Sequence, residues 1–160
     1  MSGEGRIVGL DELIRLYARP RDEVVVFTNG VFDLLHPGHV SYLRAARALG
    51  DRLVVGVNSD ASARRLGKGP GRPVQTETHR ATLVAALRAV DHVHVFHEDT
   101  PSALIGALMP DVLAKGGDYA PDDVVGREIV EAAGGHVAIL PFIEGHSSSD
   151  IIRRVRGTDG

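Results

Sequence analysis

The sequence predicts an α/β fold: a single doubly wound, Rossmann-like domain on a five-stranded parallel sheet. Three observations point to it. Short β-branched, apolar runs alternate with segments of helical periodicity, a pattern that calls for parallel strands covered on both faces. The chain has 160 residues, the size of one domain with a proper core. Its polar, glycine-rich stretches, at 28–39, 58–60, 115–118 and 145–149, fall where strands would end, and such sheets bind ligands beyond those ends.

The elements follow in order. Leu10, Leu13, Ile14 and Tyr17 recur at helical spacing before Pro20, so residues 1–20 hold a helix that docks on the core. A strand at 24–27 leads into Thr28-Asn29-Gly30, read as a turn, and a helix at 39–49 is closed by Gly50. A strand at 52–57 and a short helical turn at 61–66 precede Gly-Lys-Gly-Pro-Gly-Arg-Pro at 67–73, which is a loop. The spacing then predicts helix 76–90, strand 92–96, helix 101–108, strand 111–114, helix 123–133 and strand 136–140. A last helix at 147–156 opens with the capping serines Ser147, Ser148 and Ser149. Residues 157–160 are read as a disordered tail.

Composition narrows the class. With four Phe, three Tyr and no Trp, the core must come mainly from Val, Leu, Ile and Ala. A formal charge of −3 gives no reason to expect a nucleic-acid or acidic-membrane partner. The absence of cysteine excludes disulfides, thiolate metal sites and a Cys nucleophile. There is no cationic start followed by an apolar stretch, and no run near the length of a membrane span. A cytoplasmic protein is expected.

The glycines form neither G-x-G-x-x-G after the first strand nor a Walker loop, which disfavours a dinucleotide oxidoreductase and a P-loop NTPase. His36-Pro37-Gly38-His39 instead sits between a strand-like and a helix-like run. A helix N-terminus offers free N–H groups and the positive end of a dipole to an anion. Read alone, the pair suits a helix cap as well as a phosphate site, and a zinc site lacks a third ligand nearby in sequence. Lys68 and Arg72 fit a solvated basic loop or one that closes over phosphate. Arg80 begins a helix, an unfavourable place for a cation unless a bound anion offsets the dipole. Asp33 suits either a loop-fixing acceptor of backbone N–H bonds or a place near a substrate. Asp118 suits a ribose contact or loop order. His92 and His94 share a strand face that His97 does not, so this run is read as strand-edge histidines rather than a metal site.

Thr28-Asn29-Gly30-Val31-Phe32-Asp33 followed by His36-x-Gly38-His39 resembles the cytidylyltransferase-like branch of the HIGH-motif nucleotidyltransferases. The resemblance runs unbroken over residues 23–155. It continues through Asn58-Ser59-Asp60, Lys68-Gly69-Pro70-Gly71-Arg72-Pro73, Arg80, Asp91, Glu98-Asp99-Thr100-Pro101, Lys115-Gly116-Gly117-Asp118-Tyr119 and Glu144-Gly145-x-Ser147-Ser148-Ser149. Within the branch the chain is most similar to the adenylyltransferase domains that make ADP-heptose, chiefly through Lys-Gly-Gly-Asp-Tyr. Related cytidylyltransferases for glycerol 3-phosphate carry an arginine where this chain has Phe142-Ile143.

The resemblance implies transfer of AMP from ATP to D-glycero-β-D-manno-heptose 1-phosphate, with pyrophosphate released. It implies His36, His39 and Lys68 as catalytic residues. Nucleotide binding would fall to Thr28, Asn29, Gly30, Phe32, Gly38, Arg80, Lys115, Gly117, Asp118, Ser147, Ser148 and Ser149, although Lys115 on its own reads closer to structure than to chemistry. Substrate binding would fall to Asp33, Asn58, Asp60 and Arg72. Mg²⁺ is expected to enter with ATP, with no metal ligand assigned among the side chains. A separate sugar kinase in the same pathway and a homodimer are also expected. The alternatives are a cytidylyltransferase for glycerol 3-phosphate or a related phospho-alcohol, and a non-catalytic nucleotide-binding module. A class I aminoacyl-tRNA synthetase fragment is disfavoured by the lack of a Lys-Met-Ser-Lys-Ser-like loop.

Overall fold

In a computed structural model of the chain, residues 6–117, 119–141 and 147–157 are described. Strand β1 (Arg6–Ile7) and helix α1 (Leu10–Leu16) lead into β2 (Val25–Gly30), α2 (Pro37–Arg47), β3 (Arg52–Asn58) and α3 (Asp60–Arg65). Then come α4 (Glu77–Ala85), β4 (His92–Phe96), α5 (Ser102–Leu108), β5 (Val112–Gly116), α6 (Arg127–Ala132), β6 (His136–Leu140) and α7 (Ser148–Arg156).

All pairings are parallel, in the order β1-β4-β3-β2-β5-β6. Successive strands step outward from β2 to β4, then the chain crosses back to lay β5 on the other side of β2. The strand order therefore reverses between β2 and β5, where a crevice opens at the carboxyl ends.

Side-chain alternation along the central strands divides the core in two. Val26, Val55 and Val57 pack with Leu43 and Ala46 of α2 and Ala81 and Val84 of α4. Val25, Phe27 and Val54 pack on the opposite face with Leu13 of α1, Leu104 and Ile105 of α5 and Val130 of α6. Valines buried on both faces explain why the strands read as unbroken apolar runs. At the other end of the sheet, two carboxylates tie strand starts together. Asp91 accepts from Leu53 N at 2.7 Å, and Asp111 accepts from Val25 N at 2.8 Å and from Arg19 and Arg21.

The α/β class with a parallel sheet stands, but the sheet has six strands, not five. The extra one is β1, whose two residues carry no periodicity. It exists through tertiary pairing, as Arg6 N and Val8 N donate to Asp91 O and Val93 O. Thr28-Asn29-Gly30 is not a turn: these residues extend β2 against Val55, Gly56 and Val57. Helix α4 ends at Ala85, short of the expected residue 90, and a 3₁₀ turn at Pro121–Asp123 precedes a shorter α6. No helix among the described residues is long and apolar enough to cross a membrane.

Candidate active site

A cavity of about 380 Å³ opens at the crevice between β2 and β5. The end of β2, the loop that follows it and the start of α2 contribute Asn29, Gly30, Val31, Phe32, Asp33, His36, Gly38 and His39. Lys68 and Arg72 come from the glycine-rich loop, Lys115, Gly116 and Tyr119 from the end of β5, and Ser147, Ser148 and Ser149 from the start of α7.

His36 is the N-cap of α2 and Pro37 its first helical residue, a position where a missing N–H costs nothing. Nδ1 of His36 accepts from Gly38 N at 3.1 Å, and Nδ1 of His39 accepts from His36 N at 3.3 Å. The rings stack with centroids 3.8 Å apart. With each Nδ1 engaged as an acceptor, the proton of each neutral ring lies on Nε2, making it a donor there. The cap and the phosphate reading are therefore one arrangement. Burial, then the neighbouring His36 and Lys68, lower the pKa of His39 to about 4. It stays uncharged across the physiological range.

The N-terminus of α7 also faces the cavity. Ser147 Oγ caps it, accepting from Asp150 N at 2.9 Å, and Ser148 Oγ donates to Leu34 O at 2.9 Å, tying α7 to the loop after β2. Two helix N-termini thus meet at one cavity, together with Lys68, Arg72 and Lys115. Such a set favours an anion of several charges. Burial lowers the pKa of Lys115, whose Nζ lies 5.3 Å from the Tyr119 ring centre.

Asp33 is 3% exposed. It accepts from Val74 N at 2.9 Å, Gln75 N at 3.0 Å and Arg72 Nε at 3.3 Å. Its carboxylate pins the far end of the glycine-rich loop. Arg72 also reaches Ser149 Oγ at 3.5 Å, bridging the loop to α7. Gly67, Gly69 and Gly71 all take positive φ, which explains the loop's composition.

Arg80 is not placed as the phosphate ligand its position suggested. It is fully buried and outside the cavity lining. Its guanidinium donates to Gln75 O, Val31 O, Asn58 O and Asp60 Oδ1, all at 2.8–3.0 Å. These acceptors offset the unfavourable dipole, so no bound anion is required. Asp60 is the partner of this brace, and Asn58 donates to Ser62 Oγ at 3.0 Å; neither lines the cavity. Segment 58–60 therefore braces the loops behind the site. Thr28 is fully buried and pairs with Tyr42 Oη at 2.8 Å, and Gly117 N bonds Leu140 O. Asp118, residues 144–146 and the 158–160 tail lie outside the described residues. His92 and His94 bond Tyr17 Oη and Val8 O at the sheet edge. No group of three or more metal-ligating side chains occurs among the described residues.

Sequence reasoning missed Tyr42, a cavity-lining residue whose hydroxyl pKa is raised to about 12 by burial. The signal was present, since position 42 lies on the same face of α2 as His39, three residues on.

The sequence profile of the cytidylyltransferase-like family matches residues 27–154. The Bifunctional protein HldE of Syntrophotalea carbinolica is 57% identical over 137 residues, covering 86% of this chain and 28% of that protein. The protein of the same name from Citrifermentans bemidjiense is 54% identical, covering 95% of this chain and 31% of its own. The chain thus spans under a third of the length of these curated relatives. The lipopolysaccharide core biosynthesis protein from Thermoplasma volcanium GSS1 superposes with a TM-score of 0.64 at 32% identity, over 78% of this chain and 99% of that one. This chain belongs to the cytidylyltransferase-like family.

Proposed function

We propose that the chain transfers AMP from ATP to D-glycero-β-D-manno-heptose 1-phosphate, giving ADP-heptose and pyrophosphate. One observation carries nucleotidyl transfer: two stacked Nε2–H imidazoles, two helix N-termini and Lys68, Arg72 and Lys115 share a single cavity. Identity with the HldE proteins and the Lys-Gly-Gly-Asp-Tyr segment support the adenylyl and heptose assignments.

A sugar 1-phosphate is largely ionised at neutral pH, its second pKa lying near ~6, so its oxygen needs no general base. That oxygen attacks the α-phosphorus of ATP, the bond to the α–β bridging oxygen breaks, and pyrophosphate leaves with the electron pair. The protein must position the reactants and meet charge on the non-bridging and leaving oxygens. His36 and His39 donate to those oxygens and transfer no proton. Lys68 and Arg72 neutralise the leaving group, and Ser147–Ser149 with the α7 N-terminus hold the nucleotide phosphates.

Asp33 is the one carboxylate among the described cavity residues, and it is committed to the loop. That donor set suits a magnesium ion carried by the nucleotide's own phosphates and water. When bound, the ion would screen the triphosphate charge against the incoming anion. A sugar kinase acting before this step and a homodimeric assembly belong to the same proposal.

Cytidylyl transfer to glycerol 3-phosphate is the second reading, kept by the family profile that matches the chain. Pyrophosphate release with ATP or CTP, crossed with heptose 1-phosphate or glycerol 3-phosphate, separates the two. Turnover with ATP and the heptose 1-phosphate supports the first reading; turnover confined to CTP and glycerol 3-phosphate overturns it.

A further inference from the structure

Phe32 stands apart in this structure. It has φ of 53°, in the left-handed region that a bulky residue enters only under strain. It is nevertheless 6% exposed, packed in the core with Leu43 and Val57. Its ring lies against His39, with centroids 5.5 Å apart and planes tilted by 58°. The ring also lies over Gly30, where a Cβ would come within 2.9 Å of Phe32 Cε2. The bare glycine leaves the ring its seat.

We propose that Phe32 is a positioning residue that fixes the orientation and the Nε2–H tautomer of the His39 imidazole, with Gly30 as the space that allows it. For the reaction, this inference rests on the reading of His39 as a donor in nucleotidyl transfer. His39 is stacked on His36 and also meets the tilted ring of Phe32, so a turn of its ring disturbs both contacts. A turned ring would lose the His36 N to Nδ1 hydrogen bond that sets its tautomer. The titratable groups around it are His36 and Lys68, both of which lower its proton affinity, and the other charged cavity residues, Asp33, Arg72 and Lys115. Burial is the largest cause of that lowering.

The test uses Phe32→Leu, which keeps apolar volume but removes the flat face. Gly30→Ala leaves Phe32 in place but displaces its ring, and serves also if Phe32→Leu does not fold. Imidazole nitrogen NMR of the whole chain reads the tautomer and titration of His39 without any substrate. Wild type should hold the Nε2–H tautomer and titrate near 4. Each variant should show mixed tautomers and a midpoint raised by roughly one unit. In parallel, pyrophosphate release from ATP and heptose 1-phosphate should lose roughly tenfold in kcat with little change in KM. A folded variant with wild-type His39 tautomer and titration overturns the proposal, whatever its kcat. Altered His39 spectra with unchanged kcat uphold the positioning and overturn its part in the reaction. If wild type turns over no substrate, the nucleotidyl-transfer reading fails instead, and the NMR result still decides whether Phe32 positions His39.

Discussion

His39 carries two requirements in one ring: Nδ1 accepts the His36 N–H at the start of α2, while Nε2 keeps its proton beside the cavity. Replacing it with alanine should lower turnover roughly 10²–10³-fold, as loss of one transition-state donor does, while circular dichroism stays native. Normal turnover in a folded His39→Ala protein would remove this residue from the mechanism. Its titration also makes a stability statement. The folded pKa, about 4, lies below the ordinary value of 6.5, so the unfolded chain binds the extra proton first. The contribution is complete above pH 6.5 and is lost as pH falls toward 4. Thermal melts of wild type and His39→Gln should therefore converge as the pH drops through that window. Parallel curves would contradict the assigned shift. His36-x-Gly-His39 was legible in sequence, but its tautomers were not, because they depend on which nitrogen meets which backbone N–H.

At the scale of elements, the glycine-rich loop is held by side chains distant in sequence. Asp33 secures its far end through Val74 N, Gln75 N and Arg72. Asp33→Ala should cost about 2–3 kcal/mol, because buried donors to a charged acceptor lose their partner. It should also raise KM for the sugar phosphate or nucleotide and speed proteolytic cleavage within residues 67–71. Unchanged KM and cleavage would mean that the loop keeps its place without Asp33. Arg80 makes the opposite lesson plain. A cation at the start of α4 looked like an anion ligand, yet three carbonyls and Asp60 already take its N–H groups. Arg80→Met should cost about 3–5 kcal/mol by leaving Asp60 and those carbonyls without their donor. Arg80→Lys should restore little, since one ammonium cannot span the fork. A rise in KM with an unchanged melting temperature would instead return Arg80 to the phosphate. Sequence cannot separate these roles, because the carbonyls involved belong to residues 31, 58 and 75.

Across the whole molecule, the strand order sets the site. The reversal between β2 and β5 opens the crevice, and the chain fills its rim with the starts of α2 and α7 and the Lys68–Arg72 loop. The alternation of strands and helices was readable because valines buried on both faces leave uninterrupted runs. The sixth strand was not, since Arg6–Ile7 is extended only by its bonds to β4. Of the four polar segments expected at the carboxyl edge, those at the ends of β2 and β5 and the described serines at the start of α7 line the cavity, while 58–60 turns inward to Arg80. The reaction itself is read most directly by ³¹P NMR of the protein incubated with ATP, Mg²⁺ and D-glycero-β-D-manno-heptose 1-phosphate. Adenylyl transfer gives paired signals of a sugar nucleotide diphosphate growing in step with pyrophosphate, and their loss in His39→Ala. Phosphate and ADP as the products, or an unchanged spectrum with the wild-type protein, would contradict it.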